Sequence, residues 1–218
     1  MTLLYTFDHA LFMALNFDGG PAMDRLMTIV SGTAMWLPLY ALILYLVWRR
    51  EGWRNMLLFL AAVVLALVLA DMIAGIFKHS GPLKHLWPDF PPRWRPMFTP
   101  SLEGLEIAPD TLVRWRFEGR DLPGAVHVPP GALAGRYGTV SSHAATIAAL
   151  AVLSVAEIRR RWFGWTMAVA AVAICYSRIY LAKHFPVDLL LGAAAGAATG
   201  WAMLYLYRCL KRPAPHGK

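Results

Sequence analysis

Charged side chains are scarce in this chain. Asp, Glu, Lys and Arg make up 16% of its 218 residues, whereas hydrophobic residues make up 58%. A soluble globular domain carries about 25% charged residues. The balance therefore excludes an ordinary soluble domain and favours an integral membrane protein.

Cysteine is nearly absent, and we find no internal repeat, low-complexity tract or nucleic-acid-binding module. Cys175 and Cys209 stand in apolar stretches with neither CxxC nor metal-ligand spacing, so we interpret both as membrane core residues. Without a nucleic-acid module, we attribute the net charge of +8 to membrane topology and phosphate binding.

Long apolar runs are what the chain has in abundance. They predict one all-α membrane domain over residues 1–218, a bundle of five transmembrane helices at 26–48, 56–77, 140–157, 162–182 and 186–207. Residues 3–17 are also apolar but are short for a span and lack the basic start and cleavage site of a signal peptide. We interpret 1–20 as an interfacial helix, with a sixth span as the alternative.

Arginines in the short connections predict the orientation. Three basic clusters, at 49–54, 159–161 and 208–212, fall on one side of a five-span arrangement. The positive-inside rule makes that side cytoplasmic. The segment 79–139 would then lie outside the cell membrane as an ordered cap over the site.

Polar residues converge at the outward ends of the predicted spans. They are Lys78, Ser141, Ser142, His143, Arg178, His184 and Asp188. Ionisable residues placed together at membrane depth are a functional-site hypothesis by default. Arginines suit phosphate because they bind its oxygens bidentately, and an N-cap serine at 141 would leave helix N–H groups free for an anion.

Three motifs carry a family resemblance. They are SRIYLAKHFPVD at 177–188, VSSH at 140–143, and Arg95–Pro96 preceded by lysines. In this order they resemble the type 2 phosphatidic acid phosphatase family, relatives of the vanadium haloperoxidases. The family's usual PSGH reads VSSH here, and its K-x6-R-P spacing is not kept, so either Lys78 or Lys84 is the first-motif lysine.

The resemblance implies the role of each site residue. His184 would form a phosphohistidine, Asp188 would support it, and His143 would be the general acid. The phosphate-binding residues would be Lys78, Arg95, Ser141, Ser142 and Arg178. The resemblance implies no metal and no cofactor, and a bacterial cytoplasmic (inner) membrane location with the site facing outward.

The sequence leaves several alternatives open. The substrate would be a lipid phosphate: undecaprenyl pyrophosphate, phosphatidylglycerol phosphate, phosphatidic acid or a lipid A phosphate. A lipid phosphotransferase and a non-catalytic lipid-phosphate carrier or flippase are the rival functions, and the oligomeric state stays open. Asp71, within the second span, is either an interhelical hydrogen-bonding residue or a partner of a site cation. His79, His85, His127 and His216 are interpreted as surface residues.

Overall fold

Helices form almost all of the regular structure between residues 2 and 211, the part of the chain described by a computed structural model. We number the α-helices in chain order: α1 (Thr2–Leu15), α2 (Gly20–Ser31), α3 (Leu37–Ile76), α4 (Pro109–Phe117), α5 (Ser142–Ile158), α6 (Arg161–Tyr180) and α7 (Pro186–Leu210). Within those residues the one β-type contact is an isolated antiparallel bridge between Trp94 and Tyr137. The all-α prediction is confirmed.

The long helix α3 is a hairpin of two arms, 37–51 and 53–76. Gly52 between them has φ 79°, a left-handed conformation that glycine adopts without strain. Tyr40 and Leu67 line one groove, although a straight helix would separate them by about 40 Å at 1.5 Å per residue. The chain therefore reverses at Gly52.

The predicted span 26–48 is not one helix. Helix α2 ends at Ser31, Gly32 adopts an extended conformation with ψ 147°, and α3 begins at Leu37. Gly32 and Pro38 explain the break, because glycine weakens a helix and proline is favoured at its first positions. The break brings Ser31 to the end of the bundle that carries Arg178 and His184. We call this end the site end.

Helices α5 and α7 pack with almost no space between their backbones. Gly192, Gly196 and Gly200 face α5, and a Cβ atom on Gly196 would stand 1.9 Å from the carbonyl oxygen of Ala145. Small residues four apart let membrane helices approach closely. This contact holds the start of α5 against the start of α7.

Three helices are long and apolar enough to cross a membrane: 34–76, Arg161–Tyr180 and Pro186–Leu210. The first has two antiparallel arms. Helix α5 is apolar but shorter, as is 3–15. In α1, Asp8 and Phe12 are buried four residues apart, so this helix packs one face on the bundle while Leu3 and Phe7 stay exposed.

The segment 79–139 is ordered. It contains α4 and three short 3₁₀ turns, at Lys84–Leu86, Pro96–Phe98 and Pro100–Glu103. Residues 93–95 pair with the last residues of the segment, since Arg95 N–H donates to Arg136 O at 3.0 Å and Gly138 N–H donates to Arg93 O at 2.9 Å. This pairing places Arg93, Arg95 and Gly138 beside the loop that joins α6 to α7.

Candidate active site

His184 lies in the short loop between α6 and α7, with its side chain 2% exposed. Its imidazole Nδ1 is 2.8 Å from the carbonyl oxygen of Gly138. A carbonyl can only accept, so Nδ1 carries the hydrogen and Nε2 keeps a free lone pair. Burial, helped by the charges of Arg95 and Arg178, holds the pKa of His184 well below its usual value. The ring is therefore neutral and nucleophilic at neutral pH.

Asp188, which was expected to support His184, makes no hydrogen bond to its imidazole. Its Oδ2 is 3.6 Å from His184 Nδ1 and instead accepts a hydrogen bond from the backbone N–H of Phe185 at 3.0 Å. The carboxylate thus caps the first turn of α7 and lies beside the imidazole, while Gly138 orients the ring. Asp188 still supplies a negative charge at ion-pair distance should His184 become protonated.

Four cations surround the imidazole side of this loop: Lys78, Arg95, Arg178 and Lys183. Among residues 2–211, none of them lies within 4 Å of a carboxylate oxygen. Arg95 instead donates a hydrogen bond to Lys183 O, and Arg178 donates one to the hydroxyl of Ser31. The Nε atoms of Arg95 and Arg178 are buried and have no partner in that part of the chain. Unsatisfied buried donors are costly, and an anion would satisfy them.

Burial also shifts the two lysines and Arg95. Loss of hydration, then the neighbouring arginines, lowers the pKa of Lys78 and of Lys183 to about 8 each. Burial lowers the pKa of Arg95 to about 10. The two lysine shifts report cations held close together, and the Arg95 shift reports its burial.

The structure distinguishes the two lysines that the sequence left open. Lys78 Nζ donates to the Ser142 hydroxyl at 2.8 Å, whereas Lys84 is exposed on a 3₁₀ turn of the 79–139 segment. Lys78 lies just beyond the end of α3. Sixteen residues separate it from Arg95, ten more than in the K-x6-R-P motif, yet both side chains lie at one site.

The start of α5 forms the opposite wall. Ser141 is its N-cap, as predicted, and its hydroxyl accepts a hydrogen bond from Ala144 N–H at 3.4 Å. The Ser141 N–H donates to Asp188 O at 3.0 Å, which ties α5 to α7. His143 follows in the first turn, where its imidazole hydrogen-bonds the backbone of Ser31.

Sequence reasoning missed Arg93. Its guanidinium NH1 lies 2.7 Å from Asp8 and 3.3 Å from Asp188, and its Cζ lies 3.8 Å from the centre of the Phe185 ring. Asp8 in turn accepts a hydrogen bond from the Val187 N–H at 3.0 Å. These contacts anchor α1 and the 79–139 segment to the first turn of α7.

Gly138, Ser31 and Lys183 were missed as well. Gly138 acts through its backbone carbonyl, and Ser31 acts through its backbone and its hydroxyl. Contacts of this kind produce no recognisable sequence motif. Lys183 stands inside the third motif, directly before His184, and that position was its signal.

Two of the remaining histidines differ from their interpretation as surface residues, and His216 lies outside the described residues. His127 is partly buried, with Nε2 2.8 Å from Asp24 Oδ1, and its ring contacts Tyr180. His79 hydrogen-bonds Phe90 O. Ligand atoms of Asp18, Asp24 and His127 lie within 4.8 Å of one another, but Asp24 already accepts hydrogen bonds from His127 and Tyr180.

Comparison with known proteins places this geometry in a family. The model of the PAP2 superfamily matches residues 59–212, more than half of the chain. The chain belongs to the PAP2 superfamily. The match contains the histidines, the four cations and Asp188, from Lys78 to Asp188, whereas Asp8 and Ser31 precede it.

Relatives of this PAP2 protein include two lipid A 4′-phosphatases. The one from Bacteroides thetaiotaomicron is 26% identical over 91% of this chain and 76% of its own length. The one from Porphyromonas gingivalis is 23% identical over 95% of this chain and 76% of its own length.

A solved structure shares the fold. It is a transmembrane PAP2-type phosphatidylglycerolphosphate phosphatase from Bacillus subtilis, with TM-score 0.57, 18% identity and coverage of 97% of this chain and 90% of that one. This likeness shows the fold alone. The family match and the two relatives give the coarse function of the chain, a membrane lipid phosphatase of the PAP2 superfamily.

Proposed function

We propose that this phosphatase hydrolyses its lipid phosphate through a covalent phosphohistidine on His184. The observation that carries the proposal is the orientation of His184, whose Nδ1 is held by Gly138 O so that Nε2 is free. It lies beside four cations that have no carboxylate partner among residues 2–211. A transferred phosphoryl group spreads negative charge over its oxygens, and positioned cations stabilise that charge.

The first half-reaction forms the phosphoenzyme. Nε2 of His184 attacks phosphorus as the bond to the lipid oxygen breaks, and Arg95, Arg178 and Lys78 hold the phosphoryl oxygens. His143 gives a proton to the departing oxygen, so the product is a neutral alcohol. Asp188 lies 3.6 Å from the Nδ1 of His184 and stabilises the positive charge that develops on the ring.

The second half-reaction restores the enzyme. His143, now deprotonated, accepts a proton from water as the water oxygen attacks phosphorus and the N–P bond breaks. Inorganic phosphate leaves, and both histidines return to their starting states. Ser141 caps α5 and so positions the N–H groups of the first turn of that helix. Ser142 accepts a hydrogen bond from Lys78 and so positions the lysine.

For the substrate, we propose a phosphorylated lipid of the membrane surface, with a lipid A phosphate as the leading candidate. The two relatives named lipid A 4′-phosphatase support this choice. Phosphatidylglycerol phosphate, phosphatidic acid and undecaprenyl pyrophosphate are the other lipids to be compared with it.

We also propose that the site end faces out of a bacterial cytoplasmic membrane. The support is that Arg49, Arg50, Arg159 and Arg160 surround a groove at the opposite end of the bundle. In a protein whose native cysteines are replaced by serine, Ser101→Cys should react with an impermeant maleimide on intact cells, and Arg160→Cys should not. The reverse pattern would overturn the orientation.

The test of the mechanism combines product release with trapping. Detergent-purified protein in EDTA receives ³²P-labelled lipid phosphates, and samples are denatured at high pH, where phosphohistidine survives. Wild type should release phosphate and carry label. His184→Ala should do neither, a loss of at least about 10³-fold. His85→Ala, in an exposed part of the 79–139 segment, is the matched histidine control and should match wild type.

Other results have definite meanings. Release with no label at any time, or release by His184→Ala at the wild-type rate, would overturn the phosphohistidine mechanism. Label without phosphate release, relieved by an added alcohol, would establish a phosphotransferase. Tight lipid binding with neither label nor release would establish a non-catalytic carrier.

A further inference from the structure

A groove of about 280 Å³ descends from the candidate active site into the apolar part of the bundle. Ser142 and His143 lie at its upper part, and both arms of α3 contribute walls, through Tyr40 and Asp71. The lower walls are apolar and include Leu67, Leu150 and Ile174.

Asp71 is the unusual member of this groove. It is exposed, on an arm of α3 long and apolar enough to span a membrane. It makes no hydrogen bond and no ion pair with any of residues 2–211. Its charge nevertheless acts to raise the pKa of Lys78, which lies seven residues later in the chain. An unpaired carboxylate at membrane depth is costly to keep and marks a function.

Phosphate binding alone does not account for this carboxylate. Lys78 lies about two turns away, and a negative charge at that distance opposes an incoming phosphate in a medium of low dielectric constant. The phosphate cluster would be stronger without it. Asp71 is therefore suited to contact a part of the substrate other than the phosphate.

His143 indicates which part of the substrate lies in the groove. In the proposed reaction His143 gives its proton to the departing oxygen, so the alcohol that leaves must lie on the His143 side of phosphorus. Asp71 lines the groove on that side. An ionised carboxylate accepts hydrogen bonds and donates none, so it matches an alcohol that carries hydroxyl or amide N–H donors.

We propose that Asp71 is a specificity residue that accepts hydrogen bonds from the leaving alcohol and so selects lipids whose phosphate sits on a sugar or polyol. The proposal rests on the proposed function. It disfavours a prenyl pyrophosphate, because its leaving group is itself a phosphate with no donors and a like charge next to Asp71. It gives no advantage to phosphatidic acid, whose diacylglycerol portion offers no donor beyond the reacting oxygen.

The test is a double-mutant cycle between the protein and its substrate. The substrates are a monophosphorylated glucosamine lipid and the same lipid with the hydroxyls beside the phosphate methylated. In wild type, methylation should lower kcat/KM at least about tenfold, because the Asp71 carboxylate is left unpaired against the bound substrate. In Asp71→Ala, methylation should change kcat/KM less than about twofold. Asp71→Asn should lie between them.

Two comparisons complete the experiment. Thr146 lines the same groove, but its hydroxyl donates to Ser142 O and His143 O of its own helix. The Thr146→Val variant should therefore keep the wild-type response to methylation. On a prenyl pyrophosphate, Asp71→Ala should be as fast as wild type or faster, because the like charge is gone.

The failure of this inference is distinct from the failure of the proposed function. An equal loss on methylation in wild type and Asp71→Ala, or a uniform loss by Asp71→Ala on every lipid, would overturn the role of Asp71 while the label on His184 still stands. Absence of label and release in wild type would overturn the proposed function itself.

Discussion

The two ends of the helical bundle both carry clusters of charged side chains, but the clusters differ in balance. At the end opposite the site, Lys211 Nζ lies 2.7 Å from Glu51 and 2.5 Å from Glu157, and Arg50 pairs with Glu51 at 3.2 Å. Both carboxylates are buried. At the site end, Arg95 and Arg178 have no carboxylate within 4 Å among the described residues and keep unpartnered N–H groups.

The difference separates structural charge from functional charge. A buried cation whose counterion comes from the protein holds helices together, and removing either partner is destabilising. Buried cations without a counterion destabilise the empty protein and gain their partner only when an anion binds. Pairing, rather than burial or sign of charge, distinguishes Lys211 from Arg95 and Arg178. Arg93 at the site end is paired with Asp8 and Asp188 and belongs with the structural charges.

The largest expected effect comes from exchanging one cation at each end. Arg178→Gln should lower kcat/KM about 10³-fold, because the bidentate contact to the transferred phosphoryl group is lost. Its melting temperature should not fall, since a buried unpaired charge is removed. Lys211→Gln should leave kcat/KM within about twofold of wild type but destabilise the protein by about 3 kcal/mol, because two buried carboxylates lose their cation.

Steady-state kinetics and thermal melts in detergent measure both quantities. Arg178→Lys should recover only part of the activity, which separates geometry from charge. If Arg178→Gln and Lys211→Gln lost stability and activity in the same proportion, the distinction between the two ends would be wrong.

An intermediate effect is expected from the glycines between α5 and α7. A Cβ atom on Gly192 would stand 2.4 Å from Ser141 O, at the site end, and one on Gly200 would stand 2.9 Å from Ala149 O, farther along. Gly192→Ala should displace the start of α5 and lower kcat about 10- to 100-fold. Gly200→Ala should lower the melting temperature while kcat stays within about threefold.

The kcat of each variant, measured well below its own melting temperature, checks this contrast. Equal kcat for the two variants would show that the start of α5 is not positioned through Gly192.

The smallest expected effect is on pH dependence. Lys78 and Lys183 have pKa values lowered to about 8, so their ammonium forms dominate below pH 8 and are lost as pH rises through that value. Since kcat/KM reports the free enzyme, loss of the two ammonium forms should make the slope of log kcat/KM against pH more negative by up to about 2 above pH 8, in addition to any change caused by loss of the His143 proton. Lys78→Arg stays charged and should reduce this added slope to about −1.

A pH profile from 6 to 10 measures these slopes. His184 should add no acidic limb above pH 6, because its lowered pKa keeps the ring neutral there. A wild-type profile that stays flat up to pH 10 would contradict the role of both lysines in phosphate binding.

Local patterns predicted much of the fold. Apolar runs identified α5, α6 and α7 within a few residues, because a helix in a membrane must satisfy its own backbone and bury an apolar surface over a set length. The same reasoning joined residues 26–48 into one span, because hydropathy alone does not distinguish a continuous helix from one broken at Gly32.

Local patterns also predicted part of the candidate site. Arg178, His184 and Asp188 stand within eleven residues, so the turn between two helices brings them together whatever the rest of the chain does. Arg93 and Gly138 reach that turn from distant segments, 95 residues from Asp188 and 46 residues from His184. No local pattern encodes such contacts.

The sequence by itself determined the membrane class, the helices and the set of histidines and cations at their ends. Those features depend on composition and on spacings within a turn or two of helix. Only the tertiary structure decided that Lys78 rather than Lys84 joins the cluster, that Gly138 rather than Asp188 orients His184, and that Asp71 faces the groove beside His143. The physical reason is that these contacts depend on the packing of segments far apart in the chain, where backbone carbonyls and short side chains leave no pattern to read.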